Sequence, residues 1–498
     1  MSENDVKIAD LDIPLQTALD ASAARMRRIA PFAISGIVTA VQGLMVEVDG
    51  LSGLLAVGDR LDLRARGDRA IQAEVIGFRG GRARLMAFED LDGLGPGAAA
   101  TLLTRYHGMI DVSQGWLGRV IDPLGRPVDG KGPLPGGRRP RATRTSPPEA
   151  TRRARVGPRI DLGVRALNCF TTCRQGQRLG LFAGSGVGKS TLLSMLTRGT
   201  ACDAVVLALV GERGREVREF IEDELGPDGL AKAVVVVATS DAPPLMRRQC
   251  AYTAMTVAEH FRDGAGEGRS VLLLMDSVTR FCLALREIGL SGGEPPATRG
   301  YPPSVFAELP RLLERAGPGS VPETGEAGQI TGLFTVLVEG DDTNEPVADA
   351  VRGILDGHVI LDRRIAESGR YPAIDIARSL SRLAMGCLAP WEAEAVAKAR
   401  AVLALHADMA DMVRLGAYKA GSDPAVDEAL RLAPAIEALL RQDRHETADM
   451  AGSFARLRDV VAEARLRDVV AEAGPRDVVA EAGPRDAAAG AAGARDGA

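Results

Sequence analysis

A glycine-rich stretch between two apolar runs constrains the fold of this chain more than any other feature. Residues 183–191 read Ala-Gly-Ser-Gly-Val-Gly-Lys-Ser-Thr, after the apolar run 179–182 and before the apolar run 192–196. Glycines let the backbone curl so that successive N–H groups converge on phosphate oxygens. The helix that follows directs its positive dipole end at the same anion. This order of strand, turn and helix predicts a phosphate-binding loop.

The side chains of this loop predict how a nucleoside triphosphate binds. Lys189 brings a positive charge to the terminal phosphates, and the Ser190 hydroxyl can ligate the magnesium ion that accompanies the nucleotide. Ala183 replaces a glycine of the strict pattern, but that position needs only a small residue. The residues predicted to bind the nucleotide here are Gly184, Ser185, Gly186, Val187, Gly188, Lys189, Ser190 and Thr191.

Two carboxylates follow other buried apolar runs. Asp276 ends the run 270–276, and Glu212 ends a second run that begins near residue 204. Ligands bind at the carboxyl edge of a parallel sheet, where an aspartate can hold magnesium. A carboxylate near the γ-phosphate can orient the attacking water. For Glu212 the residue type alone leaves a second interpretation open, a charge at the start of the next helix that its dipole favours.

Length and composition indicate a soluble protein of several domains. The 498 residues exceed one ordinary core, and the content of 46% hydrophobic and 26% charged residues is typical of globular chains. A net charge of -5 gives no reason to expect nucleic acid as the main partner. We expect a cytoplasmic protein because we find neither a membrane-spanning run nor a signal-peptide core. The 6 scattered cysteines form no C-x-x-C pair, which predicts mostly buried, reduced thiols and no structural zinc.

The pattern of apolar residues divides the chain into segments. Residues 1–30 carry a one-sided apolar stripe, which predicts a helix that docks either on a partner or on its own protein. Short β-type runs separated by glycine-containing turns predict a β-barrel over residues 31–105. Continuous apolar runs alternating with helical patterns predict an α/β nucleotide domain over residues 106–378, with a parallel sheet and an extended connector at 132–158.

The C-terminal part of the chain has a different character. Residues 379–450 are predicted to form a helical domain. Beyond about residue 455 a nine-residue unit repeats, starting at Arg458, Arg467 and Arg476 and decaying after Arg485. Its apolar residues are mostly valine and alanine, and prolines interrupt it at positions 475 and 484. We therefore predict that residues 451–498 form a mostly disordered tail, helical at most in its first repeats.

Several motifs together resemble the rotary ATPase family. The motifs begin at Gly211 (Gly-Glu-Arg), Leu274 (Leu-Met-Asp-Ser-Val-Thr-Arg), Gly293 (Gly-Glu-Pro-Pro-Ala), Tyr301 (Tyr-Pro-Pro-Ser-Val-Phe) and Tyr371 (Tyr-Pro-Ala-Ile-Asp), and the last is followed by Ser381-Arg382. With Met-Arg-Arg-Gln at Met246 and Gly-Asp-Asp-Thr-Asn-Glu-Pro-Val-Ala-Asp at Gly340, the set most resembles the flagellum-specific ATPase of bacterial type III protein export. The resemblance covers roughly residues 25–445.

This resemblance implies a fold, an assembly and a set of site residues. The fold is a RecA-like phosphate-loop parallel sheet with an N-terminal β-barrel and a C-terminal helical domain, and the assembly is a homohexamer that uses ATP and Mg²⁺. The resemblance implies that Lys189 and the loop bind phosphates, that Ser190 and Asp276 bind magnesium, and that Glu212 activates water. It also implies that Arg213 supports the γ-phosphate and that Tyr371 stacks on adenine. Arg382 would be an arginine finger that reaches the neighbouring subunit, and Tyr418 would close the adenine pocket.

The resemblance also implies partners and a location. These are a stator-like regulator at residues 1–30, a coiled-coil central stalk at the pore loop 293–297, and an export gate with export substrates or chaperones. The protein would act in the cytoplasm, with only peripheral association at the inner-membrane export apparatus and no nucleic acid.

Three alternatives stay open at this stage. The ATPase of a virulence secretion system would share every catalytic residue. In a non-catalytic scaffold ring, the subunits typically lack a carboxylate at the position of Glu212. A ring-shaped RNA translocase conflicts with the acidic net charge and with the absence of a basic, aromatic-interleaved barrel face.

Overall fold

The computed structural model describes residues 32–103, 108–137, 139–264, 269–323, 325–338 and 345–472, with side chains described as far as residue 462. The chain divides into two compact units, the first reaching residue 387 and including 441–450, and the second comprising 388–440 and the chain from residue 451. The predicted docking segment 1–30 lies outside the described residues. Among the described helices, none is long and apolar enough to cross a membrane.

A closed six-stranded β-barrel opens the first unit. Its strands are β1 Ser35–Gln42, β2 Met45–Asp49, β3 Arg60–Arg64, β4 Ala70–Arg79, β5 Arg82–Ala87 and β6 Ala99–Leu102. They pair antiparallel in the order β1-β2-β5-β4-β3-β6, and β6 closes on β1. Apolar and polar residues alternate along β3, so that Leu61 and Leu63 are buried inside the barrel. The predicted N-terminal barrel is confirmed.

Short elements link the barrel to the nucleotide domain. They are β7 Met109–Ile110, β8 Arg119–Ile121, β9 Arg141–Ala142, β10 Arg159–Ile160, α1 Arg165–Phe170 and β11 Cys173–Arg174. The strand β8 joins the edge of the large sheet, whereas β7 pairs with β9 and β10 pairs with β11.

The nucleotide domain is a nine-stranded sheet covered by helices. Its remaining elements are β12 Arg178–Ala183, α2 Lys189–Gly199, β13 Ala204–Glu212, α3 Gly214–Glu219, α4 Gly226–Ala231, β14 Ala233–Thr239, α5 Pro244–Arg262, β15 Ser270–Asp276, α6 Val278–Gly292, α7 Pro303–Leu313, β16 Gly317–Pro318, β17 Gln329–Leu337, α8 Pro346–Ile354, β18 Gly357–Leu361, α9 Arg363–Glu367 and β19 Ile374–Ser381. A π-helical turn, Phe220–Leu225, joins α3 to α4.

The strand order is β19-β18-β12-β17-β15-β13-β14-β8, with β16 paired to β17. The neighbours on this path run parallel except for β19, and β16 is also antiparallel to its partner. Every residue of β13 and β15 is buried, because helices cover both faces of the sheet. The predicted α/β core with a parallel sheet is confirmed, and its carboxyl edge carries the phosphate-binding loop.

The second unit is helical. Its helices are α10 Pro390–Arg414, α11 Pro424–Leu440 and α12 Met450–Glu472. The Trp391 and Phe454 rings meet edge to face at 6.2 Å, and Lys398 pairs with Glu428 at 2.6 Å. Leu457 is fully buried. The chain from residue 451 is therefore helical and packed over its first turns, which corrects the predicted start of a disordered tail at that residue.

The structure also moves two other predicted boundaries. The division at 378/379 falls inside β19, because that strand continues to Ser381 opposite Gly357. Residues 441–450 belong to the first unit, because the Gln442 amide donates to the Gly163 carbonyl at 2.8 Å and accepts from the Arg165 N–H at 2.8 Å.

Candidate nucleotide-binding and catalytic site

The phosphate-binding loop joins β12 to α2 at the carboxyl edge of the sheet. Gly186 and Gly188 have φ angles of 77° and 90°, in the left-handed region that favours glycine. The loop borders a cavity of about 680 Å³. Residues that line this cavity include Gly184, Ser185, Gly186, Gly188, Lys189, Ser190, Thr191, Glu212 and Arg213. Glu212, Arg213 and the predicted loop residues other than the buried Val187 thus face one space.

Both predicted carboxylates approach the loop lysine. Lys189 Nζ donates to Asp276 Oδ1 and Oδ2 at 2.5 and 2.6 Å, and it lies 3.5 Å from Glu212 Oε1. Asp276 ends β15 and Glu212 ends β13, which are neighbouring parallel strands. The sheet therefore gathers one cation and two anions from three distant parts of the sequence.

Asp276 is held in place by a buried hydroxyl from the neighbouring strand. Thr335 Oγ1 on β17 donates to Asp276 Oδ1 at 2.6 Å, and both residues are buried. A hydrogen bond to an ionised carboxylate is stronger than one between neutral groups. This contact fixes the carboxylate so that it points toward Lys189.

Glu212 is buried without full hydrogen bonding. Its Oε1 lies 3.4 Å from Arg280 Nε, yet among the described residues no hydrogen bond reaches this atom. Burial raises the pKa of the Glu212 carboxyl, and the nearby Asp276 raises it further against the opposing effects of Lys189 and Arg280. A carboxylate with a raised pKa and an unused acceptor atom is suited to take a hydrogen bond from water.

The oxygen donors at this edge fit a magnesium ion. The Ser190 side chain is exposed to the cavity, and the Asp276 carboxylate lies within reach of the same lysine that the loop contributes. Hydroxyl and carboxylate oxygens are the hard ligands that Mg²⁺ prefers, together with phosphate oxygens. The two residues predicted to bind the metal are therefore chemically suitable.

Tyr371 lies against the phosphate-binding loop. A Cβ atom placed on Gly188 would lie 3.3 Å from two ring carbons of Tyr371. Tyr371 is 44% exposed, so part of the residue is accessible to a ligand. Arg213 is also exposed, and its guanidinium pairs with the Glu216 carboxylate at the cavity wall.

Two predicted residues lie away from this edge or in the other unit. Arg382 follows Ser381, which pairs with Gly357 at the start of β18. Because β18 runs parallel to β12, Arg382 lies at the edge opposite the loop that follows Ala183. Tyr418 belongs to the second unit, where its hydroxyl donates to Asp427 Oδ1 at 2.9 Å, and its contact with adenine stays a prediction.

Three family models match successive parts of the chain. The β-barrel domain of the ATP synthase alpha/beta family matches residues 38–101, and the nucleotide-binding domain of that family matches 163–381. The C-terminal domain of the type III secretion ATPase EscN matches residues 389–459.

Individual relatives agree over most of the chain. A flagellum-specific ATP synthase from Caulobacter vibrioides is 54% identical over 439 residues, covering 88% of this chain and 98% of the relative. The chain belongs to the ATP synthase alpha/beta family. The solved structure of assembled EscN from the enteropathogenic E. coli type III secretion system is 38% identical, with a TM-score of 0.78, covering 86% of this chain and all of that chain (100%). EscN in complex with its central stalk EscO has the same identity (38%) and the same coverages (86% and 100%), with a TM-score of 0.76.

The resemblance to flagellum-specific export ATPases is thereby confirmed. This member of the ATP synthase alpha/beta family is an ATPase, and 88% of its chain aligns with a flagellum-specific relative. Arg280 and Arg363 also line the cavity of the export ATPase, although sequence reasoning gave them no role. Arg280 could have been found from its place in the first turn after Asp276, whereas only the folded chain brings Arg363 to the loop.

Proposed function

We propose that this export ATPase hydrolyses Mg²⁺-bound ATP to energise flagellar type III protein export. The observation that carries the proposal is the convergence of Lys189, Glu212 and Asp276 at one sheet edge, beside a loop of left-handed glycines. Bound magnesium would neutralise charge on the phosphates, with Ser190 and Asp276 as its ligands.

Each residue of the site has a part in this reaction. Lys189 binds the terminal phosphates, and the loop N–H groups hold the remaining phosphate oxygens. Glu212 orients the attacking water, because its unused Oε1 atom accepts a hydrogen bond from that water. Arg213 stabilises the γ-phosphate from the cavity wall, and Tyr371 offers an aromatic face to adenine.

The proposal separates binding from turnover. Lys189→Ala should weaken ATP binding, because it removes the cation at the phosphates. Glu212→Gln should leave binding largely intact and abolish turnover, because the amide cannot act as a base. Nucleotide affinity and steady-state phosphate release measure the two effects. Near-normal turnover in Glu212→Gln would contradict the assignment.

We further propose that the active form is a homohexameric ring in which Arg382 completes the site of the neighbouring subunit. The position of Arg382 at the opposite sheet edge supports this, because the arginine cannot reach its own loop across the strands. An arginine finger stabilises charge on the departing phosphoryl group and is worth about 10³–10⁵ in rate. A single protomer should then be nearly inactive, and activity should rise with protein concentration.

Mixed rings test this second proposal. Lys189→Ala rings lack competent loops and Arg382→Ala rings lack fingers, so each should be inactive alone. Mixtures should regain activity at interfaces that join an intact loop to an intact finger. A wild-type titration into each mutant measures how many inactive sites a ring tolerates. Mixtures without activity, in rings that tolerate inactive sites, would show that the finger serves its own chain.

The proposed partners and location follow the relatives. We propose a coiled-coil stalk at the exposed loop 293–297, as EscN binds its central stalk EscO. We also propose a stator-like regulator at residues 1–30, an export gate, export substrates or chaperones, and peripheral association with the inner membrane from the cytoplasm. Deleting residues 1–30 should abolish co-purification with the regulator and spare nucleotide binding. A virulence secretion system stays the alternative, supported by the match of residues 389–459 to the C-terminal domain of EscN. The neighbouring genes would decide between the two systems.

A further inference from the structure

Arg363 connects the phosphate-binding loop to a distant segment of the chain. It is the first residue of α9, separated from β18 by Asp362, and its Nη2 donates to the Ser185 carbonyl at 2.9 Å. The two residues are 178 positions apart in sequence, yet both line the same cavity. None of the roles assigned above to the loop, the carboxylates or the finger includes this arginine.

The bonded carbonyl belongs to Ser185, an exposed residue of the phosphate-binding loop. The Ser185 carbonyl and the Gly186 N–H belong to one peptide group. A cationic donor on the carbonyl polarises that peptide and makes its N–H a stronger donor toward an anion. A Cβ atom at Gly186 would meet no heavy atom within 4 Å, so the loop is not held there by side-chain packing. The arginine therefore provides a fixed contact where the loop has few others.

The segment that carries Arg363 is itself anchored. The Asp362 carboxylate caps α9 by accepting from the Arg364 N–H at 2.7 Å, and it pairs with Arg378 at 3.4 Å. The same segment continues to Tyr371, whose ring lies against Gly188. The loop is thus contacted at two points by one wall, at Ser185 by a charged hydrogen bond and at Gly188 by an aromatic ring.

We propose that Arg363 is a positioning residue that holds the Ser185–Gly186 peptide of the phosphate-binding loop in its phosphate-binding shape and thereby sets nucleotide affinity. The inference rests on the proposed function of the site and adds a determinant of binding strength. Arg363 acts through the loop peptide, so its loss should weaken the binding of any phosphate chain and should change the chemical step little.

Three variants test this inference in the full chain. Arg363→Ala removes the hydrogen bond, Arg363→Lys keeps a cationic donor, and Arg364→Ala removes the neighbouring exposed arginine of the same helix as a matched control. For Arg363→Ala we expect about a tenfold rise in the KM for ATP and in the Kd for Mg²⁺-ADP, in the range of a charged hydrogen bond. We expect kcat to stay within about twofold, because the loss falls on binding. Arg363→Lys should recover most of the affinity, and Arg364→Ala should match the wild type.

Inhibition by inorganic tripolyphosphate provides a second readout. If Arg363 acts through the loop, the inhibition constant of tripolyphosphate should rise by the same factor as the KM for ATP. A rise in the KM for ATP with an unchanged inhibition constant for tripolyphosphate would overturn the inference. It would show that Arg363 acts on the adenosine part of the nucleotide and not on the phosphate chain. An unchanged KM, a loss of kcat at constant KM, or an equal loss in Arg364→Ala would overturn it as well. Absence of nucleotide binding by the wild type would instead contradict the proposed function.

Discussion

Two clusters of buried charges in the nucleotide domain have opposite degrees of hydrogen bonding. The catalytic cluster comprises Lys189, Glu212 and Asp276, and it leaves Glu212 Oε1 without a donor among the described residues. The arginine cluster comprises Arg315 and Glu259, whose two side chains form paired hydrogen bonds of 2.9 and 2.8 Å. Arg315 and Glu259 are buried, and the catalytic cluster is largely buried at the wall of the nucleotide cavity, so removing charge from bulk water carries a free-energy cost in both clusters.

In the arginine cluster, each nitrogen of the Arg315 guanidinium donates a hydrogen bond to a nearby group. Arg315 is only 1% exposed and also donates to the Thr143 carbonyl at 2.8 Å and to Thr256 Oγ1 at 2.9 Å. None of these hydrogen-bond partners is a predicted catalytic residue. The comparison teaches that burial of charge alone does not mark a reactive site. A buried carboxylate that lacks hydrogen-bond partners and lies at the carboxyl edge of a parallel sheet is a better indicator of a reactive site.

The largest expected effect separates the two clusters by activity. Glu212→Gln should lower kcat by about 10²–10⁴, the usual contribution of a positioned base. Glu259→Gln should keep wild-type kcat per folded molecule at low temperature, because Glu259 contacts no predicted catalytic residue. Steady-state phosphate release, with active protein counted by bound nucleotide, measures both. The exposed Glu219→Gln is a control for the substitution itself. A catalytic loss in Glu259→Gln would remove the distinction between the clusters.

The second effect reverses the order of the clusters in stability. Glu259→Gln should destabilise the fold by about 3–5 kcal/mol, because it leaves the buried guanidinium of Arg315 without its anion. The matched control is Glu222→Gln, which removes an exposed partner of Arg218 and should cost under about 1 kcal/mol. Chemical denaturation gives both values. Equal losses in the two variants would show that the buried pair has no special weight.

A third, smaller effect tests whether the hydroxyl of Thr335 helps to hold the catalytic cluster in place. Thr335→Val removes the hydroxyl that donates to Asp276, and we expect about a tenfold loss in kcat/KM, in the range of a hydrogen bond to a charged group. Thr331→Val changes a buried threonine on the same strand that accepts from the Gly176 N–H, and it should leave the kinetics near wild type. Similar kinetics for both variants would show that Asp276 needs no fixed orientation.

The smallest effect concerns the pH dependence of stability. The pKa of Glu212 is raised in the folded chain, so ionisation of this carboxyl at neutral pH costs the folded state free energy. Glu212→Gln should therefore melt above the wild type at pH 8 without nucleotide. The difference should shrink as the pH falls through the raised pKa toward the ordinary value of 4.5. A lower melting temperature for Glu212→Gln at pH 8 would show that the contacts with Lys189 and Arg280 outweigh burial.

Local patterns were enough to predict much of this molecule. Alternating apolar residues predicted the barrel, and continuous apolar runs predicted the central strands near their observed bounds. The pattern around Lys189 predicted the loop because both the turn and the positive charge depend on neighbours in sequence. The tail was harder, because buried Phe454 and Leu457 precede a repeat that is poor in core residues.

The sequence by itself determined the class of fold, the phosphate-binding loop and the strand ends that carry Glu212 and Asp276. Each of these depends on residue type at short spacing, which the chain encodes locally. The tertiary structure alone decided the contact of Arg363 with the loop, the support of Asp276 by Thr335, and the unequal bonding of the two buried clusters. These contacts join residues far apart in the chain, and they exist only because the parallel sheet brings separate strand ends to one edge.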